Sequence, residues 1–154
     1  MSGYVNPTVP NVADYTTFLT NELQIPATAL PTNSPWITYA FNRGMAFTLP
    51  VCTVDAGDYV NTVYCCAAHV QLEITPDQPG QTYFAAARSK DGFGLVLTGT
   101  GVSASGSDQG TSSTLVVPES MKRLTFQDLQ FAKTPWGRVW LGWGQDFGSI
   151  WGLT

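Results

Sequence analysis

Residues Asp55 to Ile74, DAGDYVNTVYCCAAHVQLEI, constrain this chain more than any other stretch. Tyr59, Val60, Val63, Tyr64, Cys66, Ala67, Val70 and Ile74 recur at three- and four-residue steps, which a 3.6-residue period gathers on one broad apolar face. The spacing predicts a helix with Tyr59, Val63, Cys66 and Val70 in the core. Asp55 is placed to cap its start, Asp58 adds a negative charge in the first turn where the helix dipole favours it, and Thr75-Pro76 stops it. A face this wide needs cover from more than one side, so the flanking segments are expected to pack around it.

Those segments are themselves mostly helical in pattern. Residues 1–10 hold two prolines and a glycine without periodicity, the composition of an extended arm. Asn11 is a natural cap for Val12 to Leu23, where Val12, Tyr15, Phe18, Leu19 and Leu23 form a stripe. Prolines make a loop of Gln24 to Asn33, and Ser34-Pro35 opens a second helix running to about Leu49, with Trp36, Ile37, Tyr39, Ala40, Met45 and Phe47 apolar. Gly44 in its middle costs about 1 kcal/mol relative to alanine, so close approach of another helix is expected there. Beyond the central helix, Pro79-Gly80 marks a turn and Gln81 to Ser89 a short helix.

From Phe93 the character changes. Phe93 to Leu97 and Thr114 to Val117 have strand composition, and 13 of the 17 residues from Thr98 to Thr114 are Gly, Ser or Thr. We read residues 93–117 as a long protruding hairpin with a flexible tip, presenting Phe93, Leu95, Leu97, Val102, Leu115 and Val117 as its contact residues. Thr125 then caps a helix to Lys133, and Thr134-Pro135 opens a last segment in which Trp136, Trp140, Trp143 and Phe147 fall on one stripe, with Trp151 beyond. Gly137, Gly142, Gly144 and Gly148 weaken this helix, so residues 135–154 read as a docking tail with those five aromatics as its interface. The fold class is therefore mainly α: an arm (1–10), a bundle with an inserted hairpin (11–134) and an aromatic tail (135–154).

Charge and chemistry narrow the function. Only 12% of residues are charged, against roughly 25% in ordinary globular chains, which suits a protein living in an assembly. A formal charge of −4 argues against a free nucleic-acid ligand, and no apolar run spans a bilayer. Residues 1–85 hold six acids against Arg43 alone, whereas residues 86–154 hold six basic residues against five acids. With no signal pattern expected at the N-terminus, Cys52, Cys65 and Cys66 read as buried free thiols in a reducing compartment. His69 is the single histidine and stands without a catalytic partner at helical spacing, so it reads as structural. Gly92-Phe93-Gly94 and Gly99-Thr100-Gly101 lack the strand-to-helix context of a phosphate loop. We expect no enzyme activity, no cofactor and no metal. The tryptophans leave one other class open, a carbohydrate-binding module stacking sugars on flat rings.

The run GTGVSASGSDQGTSSTLVVPES, followed by TPWGRVWLGWG, resembles the phage head-completion or head-tail adaptor (connector) family. Val102, Ser103 and Ser105 with Gly110 and Ser112 stand at the family's Gly/Ser-rich hairpin. Thr134, Pro135, Trp136 and Gly137 with Trp140 stand at its Thr-Pro-aromatic-Gly motif, with tryptophan where the family tends to have tyrosine. The resemblance implies a helical bundle assembled as a dodecameric ring in the virion neck. Such a ring sits between the portal protein and the next neck or tail protein, and DNA passes through it without specific binding. Assembly would take place in the host cytoplasm, without a membrane. A tail-terminator or stopper protein of the same neck is the nearest rival, although such proteins are richer in strand.

Overall fold

The computed structural model describes residues 8–49, 55–90, 106–108, 111–113 and 130–146. These residues are mainly helical: α1 (Val12–Asn21), α2 (Pro35–Phe47), α3 (Ala56–Ile74), α4 (Tyr83–Lys90) and α5 (Pro135–Asp146). The central helix forms where the apolar spacing places it. Asp55 accepts from the amides of Gly57 (2.8 Å) and Asp58 (3.4 Å), filling two of the donors that a helix start leaves open.

Burial of α3 goes further than one face. Every residue from Thr62 to Leu72 is buried, because α1, α2, α4 and α5 all pack against this helix. Val63 and Cys66 are fully enclosed, Val70 is buried, and Tyr59 is half-buried against the core with its hydroxyl 3.9 Å from Met45 Sδ. The closest approach is made by α2. A Cβ on Gly44 would lie 2.7 Å from the Val63 carbonyl oxygen and 2.8 Å from Ala67 Cβ, so only glycine lets the two backbones come together.

Aromatic side chains fill the space between α1, α2 and α3. Tyr15 lies 5.9 Å from Phe41 and 5.7 Å from Tyr64 between ring centres, and Phe18 lies 5.7 Å from Tyr64. The Tyr64 hydroxyl accepts from the Asn11 amide (3.2 Å) and donates to the Asn11 carbonyl (3.3 Å), pinning the start of α1 to the middle of α3. Asn11 caps α1 reciprocally with Asp14: Oδ1 accepts from the Asp14 amide and Nδ2 donates to the Asp14 carboxylate. α1 ends at Asn21, two residues short of the expected Leu23. Gln24 adopts a left-handed φ of 53°, and the Ile25 amide turns back to the Leu19 carbonyl.

The α3–α4 corner is closed by two long-range caps. Asp77 accepts from the amides of Phe84 (2.7 Å) and Ala85 (3.0 Å) at the start of α4, and Arg88 Nη1 donates to the carbonyls of Leu72 and Thr75, both at 3.0 Å, at the end of α3. Between them Pro79-Gly80 makes the expected turn. Gly80 takes φ 78°, and the Gln81 amide bonds the Gln78 carbonyl.

The hairpin contact residues Phe93, Leu95, Leu97, Val102, Leu115 and Val117 lie outside the described residues, as do residues 1–7 of the arm and Thr125 to Leu129. The strand pairing that is described is three residues a side, Gly106–Asp108 antiparallel to Thr111–Ser113. It falls within the stretch expected to be loop. A second difference concerns residues 135–146, expected as part of a separate tail: α5 packs on α3 as a member of the bundle.

The close approach at Gly44 gives a paired test. Gly44→Ala is expected to lower stability by about 1–3 kcal/mol despite alanine's better helix propensity, because the methyl meets backbone. Gly142 has nothing within 4 Å of an added Cβ, and Gly142→Ala should raise stability by up to about 1 kcal/mol. Urea unfolding midpoints measure both, and an unchanged or raised midpoint for Gly44→Ala would contradict the packing described.

Candidate functional site

The polar chemistry of the bundle converges where α5 meets α3. Thr134 precedes Pro135, the proline at the first helical position, and its hydroxyl accepts from the Gly137 amide at 2.9 Å, capping α5. The same oxygen lies 2.9 Å from His69 Nδ1. His69 Nε2 faces Glu73 Oε2 at 3.5 Å, one helical turn on. A carboxylate opposite Nε2 assigns the ring proton to that nitrogen, so the Thr134 hydroxyl donates to Nδ1 while accepting from Gly137.

Burial and the Lys133 ammonium push the His69 ring down to about 4, so it is neutral at neutral pH. The Glu73 contact is long and Glu73 is one-third exposed, which leaves it too weak to offset the burial. It is therefore a polar contact and not an ion pair.

Rings stack outward from this point. His69 lies over Phe131 at 4.4 Å, and Phe131 stacks on Trp140 at 4.3 Å with an interplanar angle of 28°. Trp140 Nε1 donates to Thr48 Oγ1 (3.0 Å), and Trp136 meets Phe18 edge-on at 5.3 Å. Trp136 and Trp140 are thus partly buried against the chain's own core, whereas the sequence pattern places them on a partner-facing stripe. The reason lies in Gly137. A Cβ there would sit 2.0 Å from the Phe131 carbonyl oxygen, so this glycine lets α5 close onto the Phe131 turn and carries both tryptophans inward. Trp143 is half-buried on α5, and Phe147 and Trp151 lie outside the described residues.

An open cleft of about 220 Å³ reaches this junction, lined by Tyr39, Arg43, Phe47, His69, Val70, Glu73, Ile74, Gln130 and Phe131. Arg43 stands 4.5 Å over the Phe47 ring. Among the described residues no serine, threonine or cysteine lines the cleft, and no group of three or more His, Cys, Asp or Glu could hold a metal ion. Nor is any helix among them long and apolar enough to cross a membrane. Cys65 and Cys66 are buried free thiols pushed up to about 12, chiefly by burial. Cys52 lies outside the described residues.

Of the site residues read from sequence, the core set Val63, Cys66 and Val70 is buried and Tyr59 packs beside it. Thr134 signalled its role by preceding proline. Phe131, Thr48 and Gly137 gave no such signal, because their contacts join residues far apart in the chain. No family model matches this chain, and neither a curated protein nor a solved structure is significantly similar to it.

Two outcomes test the junction. Gly137→Ala should undock α5, seen as a red shift of tryptophan emission at nearly unchanged helix content, and Trp140→Ala should show a smaller shift. Thiol labelling at about pH 8 should reach Cys65 and Cys66 only as fast as the protein unfolds; rapid labelling of the native state would show that α3 is not sealed.

Proposed function

We propose that the chain is a structural virion protein of a tailed phage, a head-tail adaptor. It would form a ring between the portal protein and the next neck or tail protein. The observation that supports this reading is the use of the Thr134–Gly137 motif. In a mainly helical bundle, the residues that carry the resemblance are the ones that seat the last helix. Thr134 caps it, Pro135 starts it, Trp136 anchors it on Phe18, and Gly137 permits the closure.

The remaining features are in keeping with such a role. A chain with few charges and a net charge of −4 suits a channel wall that DNA must traverse without sticking, since basic walls would hold phosphates. The segment from 93 to 117 is the proposed protruding hairpin, reaching a neighbouring subunit or the portal. With Trp136 and Trp140 turned inward, the proposed partner-facing part of the C-terminal segment moves to Trp143, Phe147 and Trp151. The sugar-platform alternative needs flat rings open to solvent, and two of its candidates are occupied by contacts within the bundle.

Light scattering and negative-stain imaging of the purified protein, alone and mixed with the portal protein of the same virus, test the proposal. Rings of about a dozen copies, formed alone or on the portal, are the expected result, in line with closed cyclic assembly. A monomer that neither assembles nor binds the portal would overturn it.

A further inference from the structure

We propose that the His69–Thr134 contact is a proton-operated latch. A proton taken up by the His69 ring releases α5 from α3, while α1 to α4 remain folded. The contact ties the cap of α5 directly to the histidine, alongside the Trp136–Phe18 and Trp140–Phe131 ring contacts that also hold the helix. Thr134 Oγ1 serves both the helix cap and the histidine, so a change at the ring is felt at the first turn of α5. The ring is 1% exposed, yet it borders the open cleft, through which a proton can arrive.

Protonation turns Nδ1 from acceptor to donor. The Thr134 hydroxyl then loses the acceptor for its own hydrogen at a buried site. The new positive charge also has to sit in the stack on Phe131. Among the described residues, the charged and titratable groups facing the ring are Glu73 on α3, Lys133 in the turn before α5, and Arg43 and Tyr39 on α2 across the cleft. Lys133 opposes the charge and Glu73 favours it weakly through a 3.5 Å contact.

The sign follows from linkage. Docked, the ring is held down to about 4; released into water it regains a value near 6.5. The released state therefore binds the proton more tightly. The docking contribution of His69 is complete above about pH 6.5 and is lost as pH falls toward 4. α5 is the element that gives way, since its glycines make it a poor helix unless docked. The aromatic cluster of Tyr15, Phe41 and Tyr64 and the Asp77 and Arg88 caps do not involve it.

The experiment follows three signals between pH 7.5 and 3.5: tryptophan emission, far-UV circular dichroism, and the proton NMR resonance of the chain's single histidine. The expected result is a red shift with its midpoint between about 4 and 6.5, coincident with the histidine titration, before most helix is lost. His69→Gln, checked for native circular dichroism at pH 7.5, should abolish that step. Glu73→Gln removes the carboxylate that favours the charged ring among the described residues and should move the midpoint to higher pH; it decides the question if His69→Gln does not fold. An acid step unchanged in either folded variant, no step in the wild type, or simultaneous loss of emission and helix signals would overturn the latch.

Discussion

The burial of α3 on all sides between Thr62 and Leu72 is the constraint to which the rest of the structure answers. A helix with no solvent-facing stripe in its middle must be sheathed by other elements, and each polar residue inside the sheath needs a partner. Thr62 donates to the Asp58 carbonyl, His69 meets Thr134, and Gln71 Nε2 meets Thr75. Tyr15 Oη and Gln71 Oε1 are the buried side-chain atoms left without a hydrogen-bond partner among the described residues, each at a cost of about 1–3 kcal/mol. The sheath is completed by covers that touch α3 in different ways. Gly44 brings α2 to backbone contact, Tyr64 holds the start of α1, and Arg88 on α4 caps the carboxyl end of α3.

α5 shows how tertiary packing overrides propensity. With Gly137, Gly142 and Gly144 among its twelve residues, it carries about 1 kcal/mol of penalty at each glycine and would be marginal alone. It is held by large rings, Trp136 on Phe18 and Trp140 on Phe131, and by the Thr134 cap. One of its weakening glycines is also what allows the docking, since Gly137 gives the Phe131 carbonyl room. An element weakened by three glycines is thus also the one whose docking depends on a titratable group. That combination gives α5 a separable character within the bundle.

Much of the architecture was legible beforehand, because periodicity and capping are local. The apolar spacing of residues 59–74, the caps Asn11 and Asp55, proline at the first position of α2 and of α5, and the Pro79-Gly80 turn all act within a few residues of chain. Gly44 was legible as a close approach, since a helix-interior glycine is otherwise a pure cost. The caps from Asp77 and Arg88 were not, because they join residues 7 to 16 positions apart and depend on how the corner folds.

The tryptophan stripe marks the boundary between the two kinds of information. By itself the sequence determined that Trp136, Trp140 and Trp143 share a helix face, because helical period follows from backbone geometry alone. Which surface that face meets depends on how near α5 can come to its neighbours. Only the tertiary structure decided this: glycine at 137 admits the Phe131 carbonyl, and the first two rings turn inward. His69 divides in the same way. Its place on a buried helix follows from periodicity, whereas its bond to Thr134 and its suppressed protonation arise only when α5 closes over it and excludes water.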